Sequence, residues 1–491
     1  MAKLKPVIGL EIHVELGTKT KMFCSCLNDP DQKSPNFNVC PVCMGHPGVL
    51  PVANEEAIER VIKTGISLNC EISEDSKFDR KSYFYPDLPK GYQISQFYIP
   101  FCKQGFLKIN NKKIRIREIH LEEDTGRLVH PVDEDSSLAD FNRAGIPLME
   151  LVTEPDINSA KEAREFAQEL QLILRYLDIS KADMEKGQMR VEANISVGKN
   201  NKLGTKVEIK NINSFRSVER GIDYEIKRQT ELLESGEQIV QETRGWLEEK
   251  GETQSQRTKE EAHDYRYFPE PDLPVFKTGT KNYISRIKRQ LPELPNQRRE
   301  RFNKEYNLSE REIEIFVQNK DLGEYFEKVY SELKDWVSSV EMKRKISKKE
   351  ETKLIKLCTN YLLTDLQFLI KGKAFEKEKF PITPENFGEF ITLIYEGKIS
   401  SKIGKMLLPE MFKTGGDPSQ LIREKGLSQI DDRSEIETKA KKIISENQKA
   451  IEDFKKGKET ALQFLIGQFM KETKGKVNPQ KAAEILKDLL K

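Results

Sequence analysis

No apolar run in this chain approaches the roughly 18 to 20 residues that a membrane span requires, so a spanning protein is not expected. The opening MAKLKPVIGLEIHVEL lacks the apolar core and small-residue cleavage site of a secretory signal, and it is not the Arg- and Ser-rich, acid-poor pattern of a transit peptide. The expected location is cytoplasmic. Charge of one sign is missing too. The 82 Lys and Arg residues face 80 Asp and Glu residues for a formal charge of +2, so any nucleic-acid partner must be held by local patches. There is no G-x-x-x-x-G-K-[ST] loop, because Gly457-Lys458 has neither the leading glycine nor the following Ser or Thr. That excludes a P-loop nucleotidase and leaves any ATP site to another architecture. Neither a Ser-rich amidase signature nor a well-placed Cys-His nucleophile appears.

What is present is a long soluble sequence, 491 residues with 37% hydrophobic and 33% charged, enough for about two to four domains and a sizeable core. Short alternating segments with Gly and Pro fill the chain to about residue 290. Beyond the Pro-punctuated LPELPNQRRERF at 291 to 302, the composition turns to Lys, Glu and Leu at helical spacing. A second break is expected around KTGGDPSQ, 413 to 420. Leu462, Leu465, Ile466 and Phe469, then Ala482, Ile485, Leu486, Leu489 and Leu490, mark two amphipathic helices. Lys471, Lys474 and Lys476 between them would meet phosphates or simply face solvent. In the first domain Ser159 and Glu162 predict a capping box, followed by an apolar face from Ala163 to Leu177. Hairpin-like connections predict a mixed domain with largely antiparallel strands.

The first fifty residues join a two-faced strand to a cysteine cluster. In GLEIHVEL, alternation sends Ile8, Leu10, Ile12, Val14 and Leu16 one way and Glu11, His13 and Glu15 the other. Cys24 and Cys26 are followed by Cys40 and Cys43, the second pair in CPVC. Four thiolates at such spacing suit tetrahedral zinc in a closed, structural site; free thiols or redox chemistry are the alternatives. The run IRIREIHLEEDTGR changes phase around Arg117 and Glu118, which predicts a bulge before Glu122 and Glu123. Glu150 lies among apolar neighbours and needs a cation, a proton or a metal. Glu11, Glu122, Glu123 and Glu150, with His13, form a set suited to Mg²⁺, unless each acid pairs or faces solvent separately. MRVEANISV and TKVEIKN read as a hairpin that sets Glu192 near Lys210 and Asn194 near Glu208, with Arg190 extending the row. That polar face would hold a nucleotide or carry ordinary cross-strand ion pairs. The loops SYFYPDLPKGYQISQ and AHDYRYFPEPDLP mix Tyr, Phe, Arg and Lys, suited to stacking on an adenine or an RNA end, or to buried Tyr-Pro packing.

Taken in order, GLEIHVEL, CPVC, YFYPDLPKGYQISQ, HLEEDTGR, FNRAGIPLMELVTEPD, MRVEANISV, VEIKNINSF, DYRYFPEPDLP and IGQFMKETKGKVNP resemble the B subunits of tRNA-dependent amidotransferases of the GatCAB type. The resemblance implies an α+β fold: a mostly antiparallel catalytic cradle distantly similar to glutamine synthetase with a zinc knuckle (1–292), an all-α helical domain (293–412) and an all-α YqeY-like tRNA-binding tail (413–491). It implies ATP- and Mg²⁺-dependent phosphorylation of the side-chain carboxylate of Glu or Asp misacylated on tRNA(Gln) or tRNA(Asn), then amidation by ammonia. The implied partners, in a heterotrimer, are an amidase-fold glutaminase and a small bridging protein. By matching motifs, Glu11, His13, Glu122, Glu123 and Glu150 would hold Mg²⁺. Glu11, His13, Glu123, Glu150, Arg190 and Lys210 would be catalytic. Tyr83, Lys90, Tyr92 and Glu192 would line the approach of the nucleotide or tRNA end, and Cys24, Cys26, Cys40 and Cys43 would hold zinc. A non-catalytic tRNA-binding scaffold is the competing expectation.

Overall fold

The computed structural model describes residues 4–490 apart from 30, 132–134, 200–201, 259–263, 340–346, 371–374, 428–432, 456, 474–475 and 478. Lys474 of the tail, the tip of the 189–211 hairpin, and Ala262 and His263 of the second aromatic loop lie outside the described residues. The chain divides into two compact units, Met1–Pro295 and Asn296–Lys491.

Among the described residues, the first unit is built on a sheet of nine strands: β1 (Leu4–Glu15), β2 (Glu71–Ile72), β3 (Cys102–Ile109), β4 (Lys112–Glu123), β5 (Pro147–Thr153), β6 (Met189–Lys199), β7 (Val207–Ile212), β8 (Glu242–Leu247) and β9 (Glu252–Thr258). Their order across the sheet is 9-8-7-6-1-5-4-3-2, which sets β1 at the centre between β5 and β6. Pairing is antiparallel, as expected, except that β7 and β8 run parallel. The helix Phe215–Ser235 between them makes that connection a crossover, and a parallel neighbour requires one.

The predicted alternation of β1 holds. Ile8, Leu10, Ile12 and Val14 are each 0–1% exposed, because a central strand with one apolar face must bury it. They share one core with the helix α1 (Glu55–Ser67) and the helix α2 (Ala160–Tyr176). Ala163, Phe166, Ala167, Leu170 and Leu174 of α2 are fully buried, each large side chain contributing about 1.5–3 kcal/mol relative to exposure. The capping box is half made. Ser159 Oγ accepts from Glu162 N at 3.2 Å, whereas the Glu162 carboxylate accepts from Asn158 N at 2.8 Å, one residue earlier than a box requires. The bulge is present: Val152 pairs with Glu118 but Thr153 pairs with Ile116, leaving Arg117 as the extra residue.

A separate three-stranded sheet joins Asp79–Ser82, Tyr92–Ser95 and Phe268–Pro269, so the two aromatic loops are neighbours. The second unit is helical. Phe302, Phe316 and Phe326 fill one of its cores, with the last two rings stacked at 4.7 Å. Its final helices, from Arg433 to Leu490, have a core of their own, where Leu465, Phe469, Ala482 and Leu486 are buried as their spacing predicts.

Candidate active site and cysteine knuckle

Residues opposite one another on antiparallel strands share a face. His120 pairs with Glu150, Glu150 with His13, and His13 with Arg190, so four strands contribute one polar row across the centre of the sheet. Glu11 and Glu192 form the next row. Glu150 is the hub. Its Oε2 lies 2.9 Å from His120 Nε2 and 3.3 Å from His13 Nε2. His13 Nε2 also stands 3.8 Å from Glu122 and 3.9 Å from Glu11. Glu122 accepts from Ser95 Oγ at 2.9 Å, and His120 Nδ1 is buried without a hydrogen-bond partner among the described residues.

Crowding of carboxylates at low solvent access sets the protonation. Burial, then the charge of Glu150, pushes Glu11 up to about 7. Burial opposes a charge on His120, yet Glu150 outweighs it and lifts the imidazole to about 9. His13 moves upward for the same reasons, and the two imidazoles hold Glu150 well below the ordinary carboxylate range against its burial. Protons on the imidazoles thus balance a buried acid cluster, a role that a divalent cation would also fill. The donor sets are close enough for one: Glu11, His13 and Glu150 offer ligand atoms within 4.8 Å of one another, as do His120, Glu122 and Glu150, and Glu11, Glu192 and Glu208. Carboxylate oxygens suit Mg²⁺.

Cations border the cluster. Lys210 lies 2.7 Å from Glu192 and 3.7 Å from Glu208, the pairing expected from the hairpin, with Asn194 opposite Glu208. Burial opposes the Lys210 charge, and Glu192 and Glu208 restore it. Arg190 reaches Asp124, 3.1 Å away, which Arg143 also approaches at 3.6 Å. Lys81, on the small sheet, faces the Tyr265 ring at 4.9 Å. Burial works against its ammonium, but Glu122, Tyr267 and Glu150 keep it above the ordinary lysine range. Tyr83 lies edge-on to Tyr265 at 5.9 Å, and Tyr92 carries Arg80 over its ring at 4.4 Å. Tyr267 stacks on Phe97 at 4.1 Å.

Glu123, expected beside Glu122, is not in this group. Consecutive residues of a strand point to opposite faces, and its carboxylate instead takes the ammonium of Lys90 and accepts from Ile94 N at 3.0 Å. Lys90 is therefore an ion-pair partner on that side and does not join the His13 cluster. Sequence reasoning also passed over His120, Lys81 and Asp124, and set Glu15 on the polar face without assigning it a role. His120 lies inside HLEED, and the bulge puts it on the face of His13. Glu15 follows His13 by two on the polar face, and burial with the nearby Asp124 charge raises it to about 7. Lys81 leaves no such signal, because a four-residue strand in another sheet carries it.

The four cysteine sulfurs lie within 4.8 Å of one another, and Cys40 and Cys43 are 3.9 Å apart. Sulfurs at about 2.3 Å from a tetrahedral zinc stand roughly 3.8 Å apart, so the donor set fits zinc. A hydrogen bond from Cys24, with backbone help from Cys40, draws Cys43 down to about 5. Lys21 is fully buried and bonds Asn38 O at 2.6 Å and Phe141 O at 3.3 Å, its Nζ 3.8 Å from Cys43 Sγ.

Comparison with known proteins matches residues 6–284 to the GatB/GatE catalytic domain and residues 344–490 to the GatB domain. The B subunit of the aspartyl/glutamyl-tRNA(Asn/Gln) amidotransferase of Thermotoga maritima is 47% identical over 498 residues, covering 99% of each chain. The protein of that name from Caldicellulosiruptor saccharolyticus is 46% identical over 493 residues, covering 99% of this chain and 98% of its own. That of Thermoanaerobacter pseudethanolicus is 46% identical over 495 residues, covering 99% of each. With catalytic-domain and C-terminal matches and near-complete alignment to these relatives, the chain belongs to the GatB family of amidotransferase B subunits.

Proposed function

We propose that this chain is the member of a tRNA-dependent amidotransferase that activates the side-chain carboxylate of Glu, or Asp, misacylated on tRNA(Gln) or tRNA(Asn). The observation that carries the reading is the Glu150 carboxylate shared by His13 and His120 and flanked by Glu11 and Glu122. The substrate carboxylate oxygen would attack the γ-phosphorus of ATP, forming an O–P bond as the bond to ADP breaks. Ammonia then forms a C–N bond at the acyl carbon, inorganic phosphate leaves, and the nitrogen loses a proton. Glu11, His13, Glu122 and Glu150, with His120, would hold Mg²⁺, which supplies charge neutralisation for phosphate oxygens. Lys210, Arg190 and Lys81 border the same ground with positive charge suited to a phosphoryl group. Glu192 orients Lys210, and Tyr83 with the neighbouring Tyr265 and Tyr267 offers rings for a base.

Within the same reading, the first unit is a cradle distantly similar to glutamine synthetase. Residues 293–412 form a helical domain and 413–491 a YqeY-like tail that binds tRNA. The protein is cytoplasmic, takes ammonia from an amidase-fold glutaminase, and is bridged to it by a small third protein. The cysteine set holds a structural zinc, since a site closed by four thiolates leaves no position for water.

The test is Gln-tRNA formation from Glu-tRNA with ATP, Mg²⁺ and ammonium chloride, using the chain copurified with its partners. Ammonium bypasses the glutaminase, so wild type is expected to form product and Glu150→Gln is expected to form none while still binding tRNA. Equal activity in the variant refutes the assigned metal centre. Failure of wild type with both Glu-tRNA and Asp-tRNA favours the non-catalytic scaffold.

A further inference from the structure

The cysteine knuckle is packed directly against the Lys90–Glu123 ion pair, on the side of the sheet away from the His13 cluster. Gly45, two residues after Cys43, has φ of +68°, and a Cβ there would lie 2.5 Å from Lys90 Cγ and 3.1 Å from Lys90 Cα. The knuckle backbone can therefore approach the Lys90 stem only because residue 45 has no side chain. Behind it, Gly145 (φ +85°) lies between the two groups, where a Cβ would stand at ordinary contact distance, 3.4 Å from Cys43 Cβ and 3.9 Å from Glu123 Oε2. Lys21 ties the same knuckle to the 141–146 turn through Phe141 O. Cys24, Cys43, Gly45, Lys90 and Glu123 line one cavity of about 60 Å³, and the paired side chains are only 9% and 4% exposed.

We infer that the four-cysteine knuckle, closed by its metal, is a buttress that holds Lys90 against Glu123. Gly45 is its point of contact with the Lys90 stem, and opening the knuckle releases the Lys90 ammonium to solvent. The knuckle thus acts on the residues beside the sheet and is more than a staple for its own loop. The inference rests on the zinc reading above and is independent of the ATP chemistry.

The test is lysine-selective labelling of the full chain with an amine-reactive reagent, read peptide by peptide by mass spectrometry. Lys161, whose side chain is 67% exposed, serves as the control. Zinc-loaded protein is expected to label slowly at Lys90. Removing zinc, by chelation or by Cys40→Ser, is expected to raise the Lys90 rate by at least about tenfold, well within what breaking a buried ion pair can release. Lys161 stays unchanged, and zinc added back after chelation restores protection. Gly45→Ala, with zinc content confirmed, is expected to raise the Lys90 rate in the same way. Continued protection of Lys90 in zinc-free protein overturns the inference, as does a uniform rise at every lysine or a protected Lys90 in zinc-bearing Gly45→Ala. A chain that binds no zinc refutes the metal reading alone, and Gly45→Ala still decides whether the knuckle confines Lys90.

Discussion

Replacing Glu150 with Gln keeps the shape of the hub and removes the charge that His13 and His120 share. The pKa of His120 stands at about 9 against an ordinary 6.5, and at about 1.4 kcal/mol per pH unit that difference is worth about 3 kcal/mol. Because the folded value is raised, this stability is fully present below pH 6.5 and is lost as pH climbs through about 9. Glu150 itself is depressed from 4.5, so its share is present above that value and disappears as pH falls below it. Between the two limits, in magnesium-free buffer, Glu150→Gln is expected to cost about 3 kcal/mol, a penalty that shrinks steadily from pH 6.5 to 9. The chain has five histidines, few enough for a ¹³Cε1-histidine NMR titration to follow each ring. Urea unfolding read by Trp246, in a Trp336→Phe background, gives the stability of the first unit. Wild type is expected to show one ring titrating near 9, moved down by added Mg²⁺, and the variant none. A high-pKa ring that survives the substitution, or a stability loss independent of pH, refutes the account.

Gly65→Ala tests how α1 seats on the sheet. Alanine normally favours a helix by about 1 kcal/mol over glycine, but a Cβ here would stand 2.3 Å from Cys102 Sγ. A net loss of about 1–3 kcal/mol in urea unfolding is expected, and a gain contradicts the packing. Asp124→Asn leaves Arg190 and Arg143 without their shared acid, whose side chain is 3% exposed; a cost of about 3 kcal/mol or more at neutral pH is expected. The Asp124 carboxyl is depressed, its two arginines outweighing burial, so its contribution exists above pH 3.8 and is lost on acidification. The penalty of Asp124→Asn should therefore fade as pH drops toward and below that value, and a constant penalty refutes the ion-pair assignment.

Much of the central sheet was legible in the residues. Period-two alternation over residues 8 to 16 identified the buried and polar faces of β1, because a strand flanked on both edges has no other way to separate them. The register of the 189–211 hairpin put Glu192 near Lys210, and the phase change at Arg117 announced the bulge. Spacing gave the apolar faces of α2 and of the two tail helices. Alternation within HLEED, applied strictly, would also have separated Glu122 from Glu123, since adjacent residues on one strand cannot share a face. The parallel β7–β8 pair was not legible: the helix between them permits either partner direction, and the choice rests on where the sheet edge lies.

The sequence by itself determined the two faces of β1 and of the 189–211 hairpin, the four-thiolate donor set, and the family, because these depend on local periodicity, spacing and runs of identical motif. Only the tertiary structure decided which faces meet. It set His120 against Glu150 across a strand pair, carried Lys81 in from a separate small sheet, and turned Glu123 away to Lys90. Those outcomes depend on strand order, on register and on contacts between residues far apart in the chain. Burial then raised Glu11, and the opposed charges of Glu150 and the two imidazoles raised His120 and depressed Glu150, because charge is costly in a poorly solvated cluster unless an opposite charge stands beside it.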